Sequence, residues 1–284
     1  MFERVLVSTD FSKYSQKVIE SVGEIPGVKE VVLLHIMAAP GLARVWDPGA
    51  RAEDAKKRLD EEAKPLESLG IAVKKRAEPL VGGEVAKKID IVSEEEEGVD
   101  LVVIGVRSKG FVGKVLLGSV AKDILRYGTK NLLLMRLLPI EGGERFEKHS
   151  SMIFSKILCP TDFSEPAEDA IKILKDIKGV EEVVLLTVLS KDLADVDLES
   201  EKEEAEEKLA AIKAGFEDSG IAASVRVAVG SPAKEIITAA EDEEVSLIAM
   251  SSHGKGWVRQ MIVGSVAYDV SNSGTRPVLV LRVV

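Results

Sequence analysis

The chain has 284 residues, of which 45% are hydrophobic and 30% charged, and its formal net charge is -10. This length exceeds what one ordinary core needs and fits two domains, while the composition excludes a disordered chain. The acidic balance argues against a nucleic-acid or anionic-membrane surface, because such binding depends on clustered Lys and Arg, although a local basic pocket is compatible with it.

The first residues, MFERVLVSTDFS, place charges within the first apolar run and offer no small-residue cleavage site. This pattern predicts a strand and not a signal peptide. No uncharged apolar run is long enough to cross a bilayer. The single cysteine, Cys159, cannot form an internal disulfide, which suits the reducing cytoplasm. We expect it to be a small buried hydrophobe at a strand end.

The chain contains an internal repeat. RVLVSTDFS at 4–12 matches KILCPTDFS at 156–164, VKEVVLLHI at 28–36 matches VEEVVLLTV at 180–188, and Gly-Ser-Val-Ala follows in both halves. The matches keep the same order, which predicts two copies of one domain. Glycines and charges interrupt the apolar period between them, as in a linker. The predicted divisions are copy one at 1–138, a linker at 139–152 and copy two at 153–284.

Within each copy, short runs of Val, Leu and Ile alternate with segments of helical period. The predicted strands are 4–9, 31–36, 71–77, 101–105 and 131–137 in copy one, and 156–160, 183–188, 222–229, 246–250 and 277–283 in copy two. These runs are nearly continuously apolar, as expected of strands covered on both faces. Strands that alternate with helices form right-handed βαβ units. Each copy is therefore predicted to be a doubly wound α/β domain with a five-stranded parallel sheet.

The helical segments show where they are buried and where they are solvated. Apolar residues share one helical face in two segments of copy two: Ala167, Ala170, Ile171, Leu174 and Ile177 in the first, and Ala205, Leu209, Ile212 and Phe216 in the second. Two acidic runs, SEEEEG at 93–98 and ESEKEEAEE at 199–207, are predicted to be solvated helix faces, with interaction patches as the alternative.

Polar residues follow the first strand of each copy, at the edge where open parallel sheets bind ligands. They are Thr9, Asp10 and Ser12 in copy one, and Thr161, Asp162 and Ser164 in copy two. Ser12 and Ser164 fit helix N-caps, and Pro166 suits a first turn. An acidic residue that is not needed as the cap can accept hydrogen bonds from a sugar or a base. Asp10 and Asp162 are therefore candidate site residues.

Two glycine-containing loops follow the fourth strands, within IGVRSKGFVGKVLLGSVA at 104–121 and MSSHGKGWVRQMIVGSVA at 250–267. Glycine lets a backbone approach a ligand closely, and a Gly-Ser that opens a helix presents free amides at its positive end. A hydroxyl and two or three amides form a phosphate cradle. Ser119 and Ser265 could instead only cap their helices, but capping does not require glycine-containing loops of equal length before both.

These features resemble the universal stress protein family along nearly the whole chain, as a tandem pair of domains. The nucleotide-binding signature of that family is G-x2-G-x9-G-[ST] after a strand. The matching positions are Gly105, Ser108, Gly118 and Ser119 in copy one, and Ser251, Gly254, Gly264 and Ser265 in copy two. The spacing is kept in both copies, and each copy has a serine at a different glycine position.

The resemblance implies an adenine nucleotide α-hydrolase-like fold with ATP or AMP across the carboxyl edge, and with any Mg²⁺ carried by the phosphates. The residue ending the second strand, Ile36 or Val188, would pair its backbone with adenine. The Asp region would lie near adenine and ribose, and the glycine loop would hold phosphates. The same likeness adds further positions to the two sites: Arg107 and Val120 in copy one, and Pro160, Met250, His253 and Val266 in copy two. Arg107 takes the place of the histidine and could contact a phosphate. A loop histidine without a function is the alternative for His253.

The serines bear on affinity. At a left-handed backbone position, serine would cost roughly 1 to 2 kcal/mol, or about tenfold in affinity. One charge-assisted hydrogen bond from its hydroxyl, worth on the order of 1.5 to 3 kcal/mol, could offset that strain. Binding is therefore expected to be weakened or reshaped and not lost. Copy two is slightly favoured because it keeps Gly254, the glycine nearest the phosphates, and the CPTDFS segment. Binding in copy one as well, with a preference for a different number of phosphates, is the alternative.

The sequence offers little support for catalysis. It has no G-x4-G-K-[ST] or G-x-S-x-G segment, and its histidines, His35, His149 and His253, lack metal-ligand spacing. The leading hypothesis is a cytoplasmic stress-response protein that binds ATP or AMP as a sensor or regulator. The alternatives are a nucleotide-free interaction module and a slow ATPase. The resemblance also implies that the last strands pair the two copies as an internal dimer, and it leaves further association into a homodimer open.

Overall fold

The computed structural model describes residues 2–38, 48–106, 117–140, 145–150, 152–190, 195–255 and 263–282. The chain divides into two compact units, the first ending at Lys148 and the second beginning at His149. Each unit is an α/β domain built on five parallel strands, as the sequence predicts. In the described part of the chain, no helix combines the length and the apolar character that crossing a membrane requires.

The first unit alternates strands and helices. Its elements are β1 (Arg4–Ser8), α1 (Lys13–Val22), β2 (Glu30–Ala38), α2 (Pro48–Ser68), β3 (Ala72–Leu80), α3 (Val85–Glu95), β4 (Leu101–Gly105), α4 (Ser119–Tyr127), β5 (Asn131–Met135), β6 (Leu138–Ile140) and β7 (Arg145–Glu147). The parallel sheet has the order β3-β2-β1-β4-β5. Strands β6 and β7 form a short antiparallel pair that begins at Leu138, the last residue predicted for copy one, and otherwise lies within the predicted linker.

The second unit repeats this plan. Its elements are β8 (Lys156–Pro160), α5 (Glu165–Lys175), β9 (Glu182–Leu189), α6 (Asp195–Glu217), β10 (Ala222–Val229), α7 (Pro232–Asp242), β11 (Leu247–Ser251), α8 (Ser265–Ser273) and β12 (Val278–Leu281). Its sheet has the order β10-β9-β8-β11-β12. Both units therefore place their first and fourth strands side by side at the centre.

The buried core follows the apolar pattern. The central strands and the predicted helix faces are buried, except that Ile212 is partly exposed. Strands β3 and β10 contain no fully buried residue and are partly or fully exposed along their length. The expectation of strands covered on both faces is wrong for these two, because each lies at an outer edge of its sheet with one neighbouring strand in its own unit.

Strand ends differ from the predictions where the neighbouring strand decides the length. Strand β5 stops at Met135 because its partner β4 ends at Gly105, which lies opposite. Strand β3 instead continues to Leu80, because β2 extends to Ala38. Such pairing limits are not visible in the hydrophobic pattern of one segment.

Two smaller predictions have different outcomes. Cys159 is buried, and burial raises its pKa to about 12, as suits an inert core residue. The acidic run at 199–207 is largely exposed around the buried Ala205. In the run at 93–98, however, Glu96 is 3% exposed. The interpretation of that run as a solvated face is wrong for this residue, because three cationic side chains surround it.

Candidate functional site

Each unit has a cavity where its strand order reverses, between β1 and β4 in copy one and between β8 and β11 in copy two. Open α/β sheets bind ligands at such switch points. The cavity measures about 440 Å³ in copy two and about 320 Å³ in copy one. Both volumes lie in the range of small-molecule sites.

All the predicted residues of copy two line its cavity. They are Pro160, Thr161, Asp162, Val188, Met250, Ser251, His253, Gly254, Gly264, Ser265 and Val266. Further lining residues were not predicted from the sequence, among them Thr187, Glu201, Pro232, Ile236 and Lys255. Pro232 and Ile236 occupy one face of α7 four residues apart, so helical periodicity could have identified them. Glu201 lies in the acidic run, where no local signal distinguishes it.

The turn after β8 is held by its own side chains. The Phe163 amide donates to Thr161 Oγ1 at 3.0 Å, and the Ser164 amide donates to Asp162 Oδ1 at 3.1 Å. Phe163 has a φ of 59°, a left-handed conformation that is uncommon for a residue with a Cβ. Phe11 repeats it in copy one with a φ of 61°. The same strained turn thus presents threonine and aspartate at both carboxyl edges.

Asp162 connects this turn to the glycine loop. Its Oδ1 accepts the Ser164 hydroxyl at 2.5 Å, and its Oδ2 accepts the Lys255 amide at 2.6 Å. A Cβ on Gly254 would lie only 2.3 Å from Oδ2. Any side chain here would therefore force the Asp162 carboxylate or the loop to shift. An ionised carboxylate has about four acceptor positions. The amide and hydroxyl of Ser164 and the amide of Lys255 take three of those of Asp162. Asp162 therefore serves mainly as a clamp between the turn and the loop and keeps little capacity for a ligand.

Helix α8 opens towards the cavity without a side-chain cap. Its N-cap is Gly264, whose amide donates to Ser252 O at 2.7 Å. The interpretation of Ser265 as a cap is therefore wrong, and so is that of Ser119, because Gly118 is the N-cap of α4. The first-turn amides of a helix have no carbonyl partners within it. This end of α8 lines the cavity and favours an anion.

The N-cap predictions after the first strands have mixed outcomes. Ser12 caps α1 and accepts the Ser15 amide at 3.2 Å, as predicted. Ser164 occupies the N-cap position of α5, but its side chain makes no cap hydrogen bond and donates to Asp162 instead. Pro166 lies in the first turn of α5, as predicted.

Ser251 replaces the first glycine of the signature without backbone strain, since its φ is not positive. The predicted penalty for serine at a left-handed backbone position therefore does not arise in copy two. Its hydroxyl donates to His253 O at 2.5 Å, so that proton is used within the loop. His253 Nδ1 lies 2.9 Å from Ser252 Oγ. The offsetting bond from Ser251 to a phosphate would require this loop contact to break.

In copy one, five predicted residues line the cavity: Thr9, Asp10, Ile36, Gly105 and Val120. Gly118 and Ser119 are not among the described residues that line it. Arg107 and Ser108 lie outside the described residues. Tyr14 and His35 also line this cavity and were not predicted to do so. Comparing the copies position by position could have singled out both, since copy two has Pro166 and Thr187 there.

An aromatic stack distinguishes the wall of copy one. The rings of Phe11 and His35 lie 4.1 Å apart, and the Arg58 guanidinium lies 4.2 Å from the Phe11 ring centroid. His35 Nδ1 lies 2.9 Å from Thr9 O. Burial lowers the pKa of His35, so its neutral form is favoured at neutral pH. In copy two, Thr187 makes the corresponding contact through its hydroxyl at 2.5 Å.

Glu62 introduces a buried carboxylate beside the copy-one turn. It is 7% exposed, and neither of its oxygens makes a hydrogen bond of good geometry in the described part of the chain. Burial raises its pKa, although Thr9 and Gln16 lie close enough to lower it in part. Ile212 holds the corresponding position in copy two.

We expect Glu62→Ile to stabilise copy one by about 1 to 3 kcal/mol at pH 7, because it removes a buried, poorly paired charge. A raised carboxyl pKa means that stability falls as pH rises through the unfolded pKa of about 4.3 towards the folded one. The gain should therefore shrink towards pH 4. Thermal unfolding at several pH values measures it, with the 71% exposed Glu61 changed to Gln as the control. A variant that is less stable than the wild type at pH 7 would contradict this account.

Comparisons with known proteins agree with the fold and extend over both copies. The model of the Universal stress protein family matches residues 1–136 and 154–282. Universal stress protein MJ0577 of Methanocaldococcus jannaschii is 37% identical over an alignment of 157 residues, and the match covers 46% of this chain and 97% of that protein. Universal stress protein MJ0531 of the same organism is 31% identical over an alignment of 146 residues, and the match covers 48% of this chain and 86% of that protein.

A solved structure shows the same fold over the full length. The crystal structure of a universal stress protein from Archaeoglobus fulgidus is 24% identical, with a TM-score of 0.71, and the match covers 98% of this chain and 96% of that chain. The family model matches each copy separately, in the order in which the repeat occurs. The chain therefore belongs to the universal stress protein family, as a tandem pair of its domains.

Proposed function

We propose that the chain binds an adenine nucleotide, ATP or AMP, in the copy-two cavity and acts as a stress-response sensor or regulator. The observation that carries this proposal is the convergence of all the predicted copy-two residues on one cavity of about 440 Å³ at the carboxyl edge. Apolar walls from Val188, Ile236 and Met250 suit a base, and the uncapped start of α8 suits phosphates.

Different lining residues would contact different parts of the nucleotide. Thr161 and Val188 lie at the ends of neighbouring strands, where adenine and ribose would lie. Lys255 and the start of α8 also line the cavity and would attract phosphate charge. No cluster of three or more metal-ligating side chains occurs among the described residues. Any Mg²⁺ would therefore have to be held largely by the phosphates themselves.

Isothermal titration of the purified full chain with AMP, ADP and ATP tests the proposal. We expect saturable binding, with Kd values at or below the millimolar range. No saturable binding at millimolar nucleotide would overturn it and favour a nucleotide-free interaction module. A slow ATPase would be favoured instead if the wild type released phosphate faster than Ser265→Ala. That change removes only the side-chain hydroxyl and leaves the α8 backbone amides in place.

A further inference from the structure

Tyr14 is fixed across the carboxyl ends of β4 and β5. Its hydroxyl donates to Val106 O at 2.5 Å, lies 3.2 Å from Met135 O and accepts the Leu137 amide at 3.2 Å. Its ring packs edge-on against Phe146, with centroids 4.9 Å apart. The side chain is 4% exposed. A buried tyrosine held on both its hydroxyl and its ring does not move without breaking these contacts.

The ring presses against the first glycine of the signature in copy one. A Cβ on Gly105 would lie 2.9 Å from Tyr14 Cε1 and 3.1 Å from Val18 Cγ2. In copy two, the positions of Tyr14 and Val18 are held by Pro166 and Ala170, which are smaller. That difference gives Ser251 the room that Gly105 lacks. Copy one thus combines a glycine with a large neighbouring tyrosine, and copy two combines a serine with a smaller proline, because the two positions share the same space.

The two cavities consequently end at different places. In copy two, the lining continues past Ser251 through the loop to Lys255 and reaches the start of α8. There, Ser252 O accepts the Gly264 amide, which draws the helix start to the loop. In copy one, the corresponding carbonyl, that of Val106, accepts Tyr14. Among the described residues, the copy-one lining includes Val120 of α4 but neither Gly118 nor Ser119 at the start of that helix.

We propose that Tyr14 closes the copy-one cavity to phosphate groups, so that the chain binds one phosphorylated adenine nucleotide, in copy two. The described walls of copy one suit a nucleoside-sized group, between Thr9, Asp10 and Ile36. This inference rests on the proposed function of copy two. Tyr14 acts here as a specificity-determining residue, because it shapes the cavity wall that a phosphate would have to pass.

Stoichiometry and site location test the inference on the full chain. Titration with ATP and AMP is expected to give one equivalent, and photo-crosslinking with an azido-adenine nucleotide followed by peptide mass spectrometry should label copy two alone. Two equivalents, or labelled peptides from copy one, would overturn the inference and leave the proposed function standing. Zero equivalents would remove the proposed function itself, and the inference with it.

Substitution of Tyr14 tests the mechanism. Tyr14→Pro introduces the residue that copy two has at the same helical position, where a first turn accepts proline. We expect its stoichiometry to rise from one to two, whereas Tyr14→Phe, which keeps the ring, should stay at one. Hydrogen exchange of β4 reports whether copy one is folded, and Tyr14→Ala replaces the proline variant if it is not. A folded Tyr14→Pro or Tyr14→Ala chain that still binds one equivalent refutes the role of Tyr14.

Discussion

Gly254→Ala is expected to weaken nucleotide binding in copy two by roughly tenfold to a hundredfold, corresponding to the loss of about 1.5 to 3 kcal/mol. The new methyl group would lie 2.3 Å from Asp162 Oδ2, which accepts the Lys255 amide. Asp162 cannot easily turn aside, because Ser164 holds its other oxygen twice. The loop must therefore move away from the strand ends. Titration of AMP and ATP against both proteins measures the loss.

A double-mutant cycle identifies the cause of that loss. If the clash with the carboxylate is responsible, Gly254→Ala should cost much less in an Asp162→Ala background, since contacting residues are not additive. Gly118→Ala is the control: it changes an N-cap glycine in copy one whose Cβ would meet no atom of the described residues within 4 Å. Equal costs of Gly254→Ala in both backgrounds would show that the Asp162 clamp does not organise the loop.

The sequence alone predicts the strands and strand-end loops that form the site, because these depend on local patterns. The strands follow from apolar runs, and the Thr-Asp-Phe-Ser segments at 9–12 and 161–164 place an aspartate at a strand end in both copies. Internal repetition adds the register between copies, so the loops after β4 and β11 could be aligned before any fold was known. Each of these signals is contained within a few neighbouring residues.

What could not be predicted depends on contacts between distant segments. Asp162 reads as a ligand acceptor in sequence, but Lys255, 93 residues away, takes one of its oxygens. Nothing near Tyr14 in the sequence indicates that its hydroxyl contacts Val106 and Met135 at the ends of β4 and β5. Glu96 reads as one solvated charge among four, since nothing near it in sequence reveals Arg4. Tertiary packing decides these roles.

The buried ion cluster around Glu96 leads to the largest expected effect on stability. Glu96 follows α3 and is 3% exposed, and its carboxylate lies 2.8 Å from Arg4, 2.8 Å from Lys74 and 2.7 Å from Arg76. Burial alone would raise the pKa of Glu96, but hydrogen bonds from these three side chains lower it to about 2. Glu96→Gln should therefore destabilise copy one by about 3 kcal/mol at pH 7.

The sign of the pH dependence provides a second readout. Because the folded pKa lies below the unfolded value of about 4.3, the stabilisation is complete above about pH 5 and is lost as pH falls towards 2. The difference in stability between Glu96→Gln and the wild type should become smaller as the pH falls from about 5 to 2. Hydrogen exchange of β4 peptides measures the opening of copy one separately from copy two, which a single unfolding transition would not.

Copy two contains the matched control for this cluster. Glu243 follows α7 at the corresponding position but is 34% exposed, with Arg226 at 3.5 Å and Lys156 at 3.6 Å. Glu243→Gln is expected to cost under about 1 kcal/mol, as for other solvated ion pairs. Equal losses in the two variants would contradict the role assigned to burial, because the two carboxylates differ mainly in exposure and in their distance from the cations. A large loss for Glu96→Gln alone would show that enclosure by three cations, and not the helix-end position, stabilises copy one.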